Sequence, residues 1–278
     1  MLEKPKTVLV TGATGKSGRR VTARLTAAGA IVRAASRVGA HQFDWQKEAT
    51  WAPCLKGADA AYICYAPDIA LPGAVETITR FIETARSMGV ERLVMLSGRG
   101  EQEAARAESV LMHSGAAWTI VRASWFMQNF SESIFSEAVS AGEVVFARGD
   151  VPEPFIDVDD VADVVAACML NDRHVGELYE VTGPRLITFR QAVLEIETSL
   201  GNSVRYVDME PQAYISALRR ANVPDEIATL LDLLVSEVLD GRNSYVSDGV
   251  QRAIGRSPRD FATFTTQAVA NGAWRLTK

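Results

Sequence analysis

The chain of 278 residues is poor in cysteine and histidine and has no long apolar run. Its three cysteines, Cys54, Cys64 and Cys168, stand far apart with no CxxC or Cys/His spacing. This excludes a disulfide framework, and they read as small buried hydrophobes of a reducing compartment. The three histidines, His41, His113 and His174, also lack ligand spacing, so no metal site is expected. The longest apolar run is far too short to cross a bilayer, and no charged-then-apolar leader opens the chain. Cytoplasmic residence with no sorting signal is the expectation. Excess cationic charge is missing too: 29 Lys and Arg face 34 Asp and Glu, for a net charge of −5. A nucleic-acid binder usually carries a basic stripe. The partner expected is therefore a small-molecule substrate, not nucleic acid or a membrane, and a homodimer stays open.

Apolar residues are plentiful at 47%, enough for a sizeable core. They fall into alternating strand-like and helix-like segments. "KTVLVTG" is a short β-branched run suited to a strand buried on both faces. "GRRVTARLTAAG" follows as a helix with Gly29 at its C-terminal cap. "AIVRAAS", "AHQFDW" and "ADAAYICYA" read as the second, third and fourth strands, the third being the weakest. "GAVETITRFIETARSMG" puts Val75, Ile78, Ile82 and Ala85 on one helical face. "ERLVMLS", the helix "EQEAARAESVLMHSG" and the strand "AWTIVRAS" continue the rhythm. Such alternation predicts a mostly parallel sheet. After about residue 140 the strands "GEVVFA", "ELYEVTG" and "SVRYVDM" are short and scattered. The helices among them are "DDVADVVAACML", "TFRQAVLEIETSLG" and the long "PDEIATLLDLLVSEVLDG".

The stretch "VLVTGATGKSGRR" offers two phosphate-binding readings. "GKS" resembles the tail of a P-loop, G-x-x-x-x-G-K-[ST]. Counting back from Gly15 to the first glycine of that pattern lands on Val10, inside the strand, so the wide phosphate-wrapping curve is absent. The other reading is Gly12-x-x-Gly15-x-x-Gly18, directly after a strand and opening a helix within a βαβ unit. Glycine at the first positions permits a tight turn and close approach of a pyrophosphate, with Thr14, Lys16 and Ser17 between and beside them. Gly18 lets helix and strand pack, and the helix N-terminus supplies free N–H groups. The fold class this predicts is α/β. A Rossmann-type parallel sheet in residues 1–145 binds the dinucleotide, and residues 146–278 form a smaller mixed α/β substrate lobe that returns at least one strand to the main sheet.

The end of the second strand reads Ala35-Ser36-Arg37, without the acid that NAD users place there for the ribose 2′-hydroxyl. A hydroxyl and a guanidinium suit a 2′-phosphate, so NADP(H) is the expected cofactor. Asp44, beside Trp45, falls near the adenine or is a plain turn acid. Ala66-Pro67 and Ser97 end the fourth and fifth strands and border the nicotinamide ribose, although Ser97 could equally be a cap. In "RASWFMQNF", Trp125, Phe126 and Met127 fall near the nicotinamide face or start a core helix, with Asn129 able to bond a polar group. Tyr214 and Leu218 lie on a lid or, better, a surface helix. His113 reads as a charge at a helix C-terminus, and Asp157, Asp159 and Asp160 as a strand end with helix caps.

"VTGATGKSGR", the missing acid after strand two, "SGAAWTIVRASWFMQNF" and "PFIDVDDVADVVAACM" together resemble the NmrA-like atypical short-chain dehydrogenases/reductases, over about residues 6 to 275. The resemblance implies the same fold and NADP(H) preference. It also implies a choice of activities, because the group holds quinone, triphenylmethane, isoflavone-type and ergot-alkaloid reductases beside a regulator without known turnover. The Tyr-x-x-x-Lys pair of the wider superfamily is missing, since none of the six tyrosines has a lysine four residues later. Glu108 matches an acid common in the group, and Ala104 stands where a lysine or histidine might. No catalytic residue is assigned. Without a positioned acid, hydride transfer suits an activated, flat, electron-poor acceptor such as a quinone or iminium. The expected function is an NADPH-dependent reductase of such a molecule; the alternative is a non-catalytic NADP(H) sensor.

Overall fold

Thr7–Val10 forms β1, four residues with both faces covered, at the centre of a parallel sheet in this computed structural model. Residues 6–274 are described; the outermost ends of the two expected parts, 1–5 and 275–278, lie outside the described residues. On one side of β1 lie β2 (Ile31–Ser36) and β3 (His41–Gln42). On the other lie β4 (Ala60–Ile63), β5 (Arg92–Gly98) and β6 (Ala117–Ala123). The chain then leaves the sheet for β7 (Glu143–Phe146) and β8 (Pro152–Glu153) before β9 (Glu177–Val181) rejoins it beside β6. The order is β3-β2-β1-β4-β5-β6-β9 with every pair parallel. Apart from the added β9 edge, this is the doubly wound arrangement of dinucleotide-binding folds.

The crossovers are α1 (Lys16–Ala27), α2 (Trp51–Leu55), α3 (Ala74–Ser87) and α4 (Gln102–His113). Two short helices, α5 (Asn129–Glu132) and α6 (Ser136–Ser140), follow β6, and α7 (Val158–Leu170) leads towards β9. One sheet face buries Leu9, Ile63 and Met95 against Ile78, Phe81 and Ile82 of α3. Phe43, Trp45 and Trp51 complete that layer, with Trp45 edge-on to both others and Phe43 stacked on Trp51. The opposite face buries Val8, Val10, Val94 and Val121 under Val21 and Leu25 of α1 and Val161 and Val165 of α7. α7 therefore belongs to the layer covering the first sheet, although it follows residue 145. Asp157 caps it by accepting from Asp159 N at 2.8 Å. Asp159 and Asp163 reach α1, where Arg20 and Arg24 pair with them at 3.1 and 2.9 Å. Asp160 is fully buried and pairs with Arg256 and Arg259, so it is no cap but a tie to the C-terminal segment.

The rest of the second part is its own layer. β10 (Ile187–Thr188) pairs antiparallel with β8, and β11 (Arg205–Asp208) pairs parallel with β7. α8 (Phe189–Leu200) opens with a complete capping box between Thr188 and Gln191. α9 (Pro211–Arg220), α10 (Asp225–Leu233), α11 (Gly249–Ile254) and α12 (Phe261–Ala270) follow. Their core is aromatic, with Phe130, Phe146, Phe155, Phe189 and Phe261 in mutual contact. Three expectations change here. The third strand shrinks to two residues, because Phe43 turns inward to the aromatic group. The long helix read through "PDEIATLLDLLVSEVLDG" stops at Leu233 and continues as one π-helical turn, Leu234–Val238. Tyr214 is no surface residue; it is buried edge-on against Phe146.

Candidate functional site

β1 ends at Val10, and the turn after it is tied to β4. Thr11 Oγ1 donates to the Tyr62 carbonyl at 2.9 Å and accepts from Cys64 N at 2.9 Å. Gly12 takes a φ of +62°, a left-handed conformation costly for other residues, and its carbonyl accepts from Gly15 N at 2.9 Å. Gly18 does not line the open space. A Cβ there would overlap the Gly12 carbonyl oxygen and lie 2.6 Å from the Gly12 carbonyl carbon and 2.9 Å from Ala13 Cα. It is the contact that lets α1 dock against the loop. The first-turn amides of α1 have no intrahelical partner and carry the positive end of the helix dipole.

The glycine loop forms one wall of a cleft of about 670 Å³ at the carboxyl ends of the strands. Gly12, Thr14, Gly15, Lys16 and Ser17 line that wall. Ser17 Oγ turns inward to Cys64 Sγ at 3.5 Å, leaving its backbone as the part that serves the cleft. One end of the cleft is Ser36 and Arg37. Ser36 Oγ donates to the Val38 carbonyl, which rounds the turn after β2. Arg37 is exposed, and among the described residues its guanidinium meets no carboxylate. Asp44 and Trp45 stand next along the wall. The Asp44 carboxylate accepts from Gln46 N at 3.0 Å, as a turn acid does, and the Trp45 indole N–H donates to the Cys64 carbonyl at 3.2 Å.

The other end is built by Ala66, Pro67 and Asp68 after β4, Ser97 near the end of β5 and Glu101 beyond it, and Trp125 and Phe126 after β6. Ser97 is spoken for: its hydroxyl donates to Glu108 at 2.6 Å, and Glu108 is bound bidentately by Arg122. Trp125 sits edge-on to Phe189, with centroids 5.2 Å apart, and still reaches the cleft. Met127 does not; it points into the second core. Asn129 lines the cleft, but its side-chain oxygen accepts from Lys16 Nζ at 2.8 Å. That bridge joins the glycine loop to α5, and Arg20 bonding to Glu132 at 2.7 Å doubles it. Burial lowers the Lys16 ammonium from its ordinary value, even with Glu132 and Asp68 nearby. His113 behaves as a helix-end residue, its Nδ1 lying 2.7 Å from the Ser109 carbonyl. A roof from the second lobe is expected, and Ile227, Leu230 and Leu231 of α10, with Leu234, are the residues that form it. Their apolar spacing marks a helix, but nothing in that spacing says which space the stripe covers. Asp68 and Glu101 were missed, because a carboxyl near a helix start reads as ordinary capping.

A glycine loop on a helix N-terminus, at the carboxyl edge of a parallel sheet, defines a protein of the dinucleotide-binding class. The NAD(P)H-binding family model matches residues 12–172. Among curated relatives, (4-alkanoyl-5-oxo-2,5-dihydrofuran-3-yl)methyl phosphate reductase of Streptomyces griseus is 30% identical, covering 94% of this chain and 97% of its own. Festuclavine dehydrogenase of Aspergillus fumigatus is 29% identical over 95% of this chain and 98% of its own. Among solved structures, the NADPH complex of an NADPH-dependent quinone oxidoreductase from Escherichia coli superposes with a TM-score of 0.75 at 21% identity, covering 95% of this chain and 99% of that one. This chain belongs to the NAD(P)H-binding family, as an oxidoreductase. Among the described residues, no helix is long and apolar enough to cross a membrane.

Proposed function

We propose that this protein is an NADPH-dependent reductase that passes hydride to a small, flat, activated acceptor held between Trp125 and the α10 roof. Residues 1–145 carry the cofactor, and the later residues roof the substrate. The observation that carries the reading is the continuity of one cleft. It runs from a cation with no carboxylate partner, past a glycine loop, to an aromatic end closed by leucines. A pyrophosphate against the α1 amides sets the middle of the cofactor. Its adenosine end then meets Ser36 and Arg37, and its nicotinamide end meets Ala66, Pro67, Ser97, Trp125 and Phe126. The acceptor named for the Streptomyces relative is a conjugated lactone, and that of the structural neighbour is a quinone; both are electron-poor and flat. Three free thiols suit a reducing, cytoplasmic setting.

The test is NADPH oxidation, followed at the cofactor absorbance band, with quinones, conjugated lactones and triarylmethane dyes as acceptors. Turnover on at least one class is expected. Tight NADPH binding with no oxidation across the panel would instead assign the protein as a sensor. For the cofactor end, Arg37→Asp is expected to weaken NADPH binding by about 100-fold, since a charge-assisted contact is replaced by repulsion. NADH affinity should move by less than about threefold, because NADH has no 2′-phosphate. Calorimetric titration of both cofactors checks this, and parallel losses would remove the 2′-phosphate assignment.

A further inference from the structure

Glu101 is the first residue past the β5 turn, yet its side chain does not cap α4. It folds back over β5 and packs on Gly98 so closely that a Cβ at Gly98 would occupy the carboxyl position. The carboxyl therefore rests against the end of the strand that borders the nicotinamide end of the cleft. Its Oε2 is fully buried and, among the described residues, has no hydrogen-bond partner. The neighbouring carboxyls are committed: Asp68 accepts from Ala70 N at 2.9 Å, and Glu108 is held by Ser97 and Arg122. Glu101 also lines a second, more open cavity of about 620 Å³ on its other side, with Gln102, Arg122, Glu237 and Arg242 around it. Gly98 and Glu101 thus line both the cleft and the second cavity.

An ionised oxygen left without a donor in such a place is costly, whereas a neutral acid with an O–H to give is not. We propose, resting on the reductase reading above, that Glu101 is the proton donor of the reaction and that the acceptor is a conjugated carbonyl compound. Hydride leaves C4 of NADPH for the electrophilic carbon, and the electron pair displaced from that carbon collects on the carbonyl oxygen. The O–H of Glu101 breaks and its proton goes to that oxygen. NADPH becomes NADP+, the acceptor gains two electrons and two hydrogens, and the Glu101 carboxylate recovers a proton from water through the second cavity. Burial raises the Glu101 carboxyl well above its ordinary range, helped by the negative charges of Asp68 and Glu108. The cations facing this region are Arg122, committed to Glu108, Lys16 on the Asp68 side and Arg242 in the second cavity. Glu237 adds a further negative charge there.

Two acceptors separate this from a structural role. A quinone or enone needs a proton on oxygen after hydride arrives, whereas a triarylmethane cation is neutralised by hydride alone. Glu101→Gln is expected to cut turnover of the carbonyl acceptor by about 100-fold or more. The loss on the dye should be at least tenfold smaller than the loss on the carbonyl acceptor. The wild-type carbonyl rate should fall on the alkaline side, and the variant should lose that limb. Gly98→Ala, which displaces the carboxyl, should reproduce the selective loss. Independently of turnover, the infrared spectrum near neutral pH should show a protonated carboxyl band that Glu101→Gln removes. Equal losses on both acceptors, no loss on either, or no such band would overturn the proposal while the reductase reading stands. A wild type that oxidises NADPH with neither acceptor would instead remove that reading, and the donor assignment with it.

Discussion

Gly18→Ala is expected to melt about 6–12 °C below wild type and to lose more than tenfold in NADPH affinity. The reason is backbone against backbone. The added methyl would meet the carbonyl group of Gly12 and Ala13 Cα, none of which can swing aside as a flexible side chain could. Either α1 moves away from the loop or the loop moves into the cleft. Moving α1 strips Val21 and Leu25 from the sheet, and overpacking of this kind costs about 3 kcal/mol. Moving the loop disturbs the turn that Gly12 makes and shifts the first-turn amides from the pyrophosphate. Gly15→Ala is the control. Its Cβ would meet only the Gly12 carbonyl oxygen, at 3.2 Å, and a shift of a few tenths of an ångström relieves it. Thermal melts of the pair give the ordering. A Gly18→Ala protein as stable as Gly15→Ala would mean that the helix does not dock as described.

The same glycines explain why this part of the molecule could be read without coordinates. The turn after β1 is local: its requirements fall on residues 12 to 18 and are met by residue types that sequence displays directly. β1, β4 and β5 announce themselves likewise, as apolar runs covered on both faces. Val75, Ile78, Ile82 and Ala85 are all buried on α3, as a helical period demands. Elsewhere the information is not local. "SVRYVDM" and "GEVVFA" pair with each other, whereas "ELYEVTG" joins β6, and no alternation pattern distinguishes those choices. The return of β9 beside β6 agrees with a strand from the later lobe entering the main sheet. Met127 and Trp125 are both apolar and two residues apart, yet one enters the second core and the other reaches the cleft. In "EQEAARAESVLMHSG" Glu108 draws notice only through the resemblance, and Glu101 not at all. Only the fold gives Glu108 an arginine and leaves Glu101 without a partner.

Glu153 offers a second large effect, this time on stability. It lies on β8, completely buried, and among the described residues neither carboxylate oxygen has a hydrogen-bond partner. Arg99 is close enough to favour its charge but is itself engaged by Glu180 at 3.0 Å and by the carbonyl of Tyr245 at 3.2 Å. Asp240 opposes the charge, and burial dominates, so the carboxyl is pushed up to about 7 from an ordinary 4.5. The sign then follows. Below about pH 4.5 both the folded and unfolded chains hold this proton, and Glu153 makes stability no function of pH. Between about 4.5 and 7 the unfolded chain releases it while the folded one keeps it, so stability falls as pH rises. Above about 7 both forms are ionised, and the loss levels off at ~3 kcal/mol, taking about 1.4 kcal/mol for each pH step. Glu153→Gln removes the titration but puts an amide with no partner in the same space, a cost of about 1 kcal/mol. The two stability curves should therefore cross. At about pH 4 the variant is the less stable protein by ~1 kcal/mol, and at about pH 8 it is the more stable by ~2 kcal/mol. Urea midpoints at both pH values measure the difference. Parallel curves would mean that Glu153 is already ionised in the folded protein near pH 5, with Arg99 as its counter-charge rather than Glu180's.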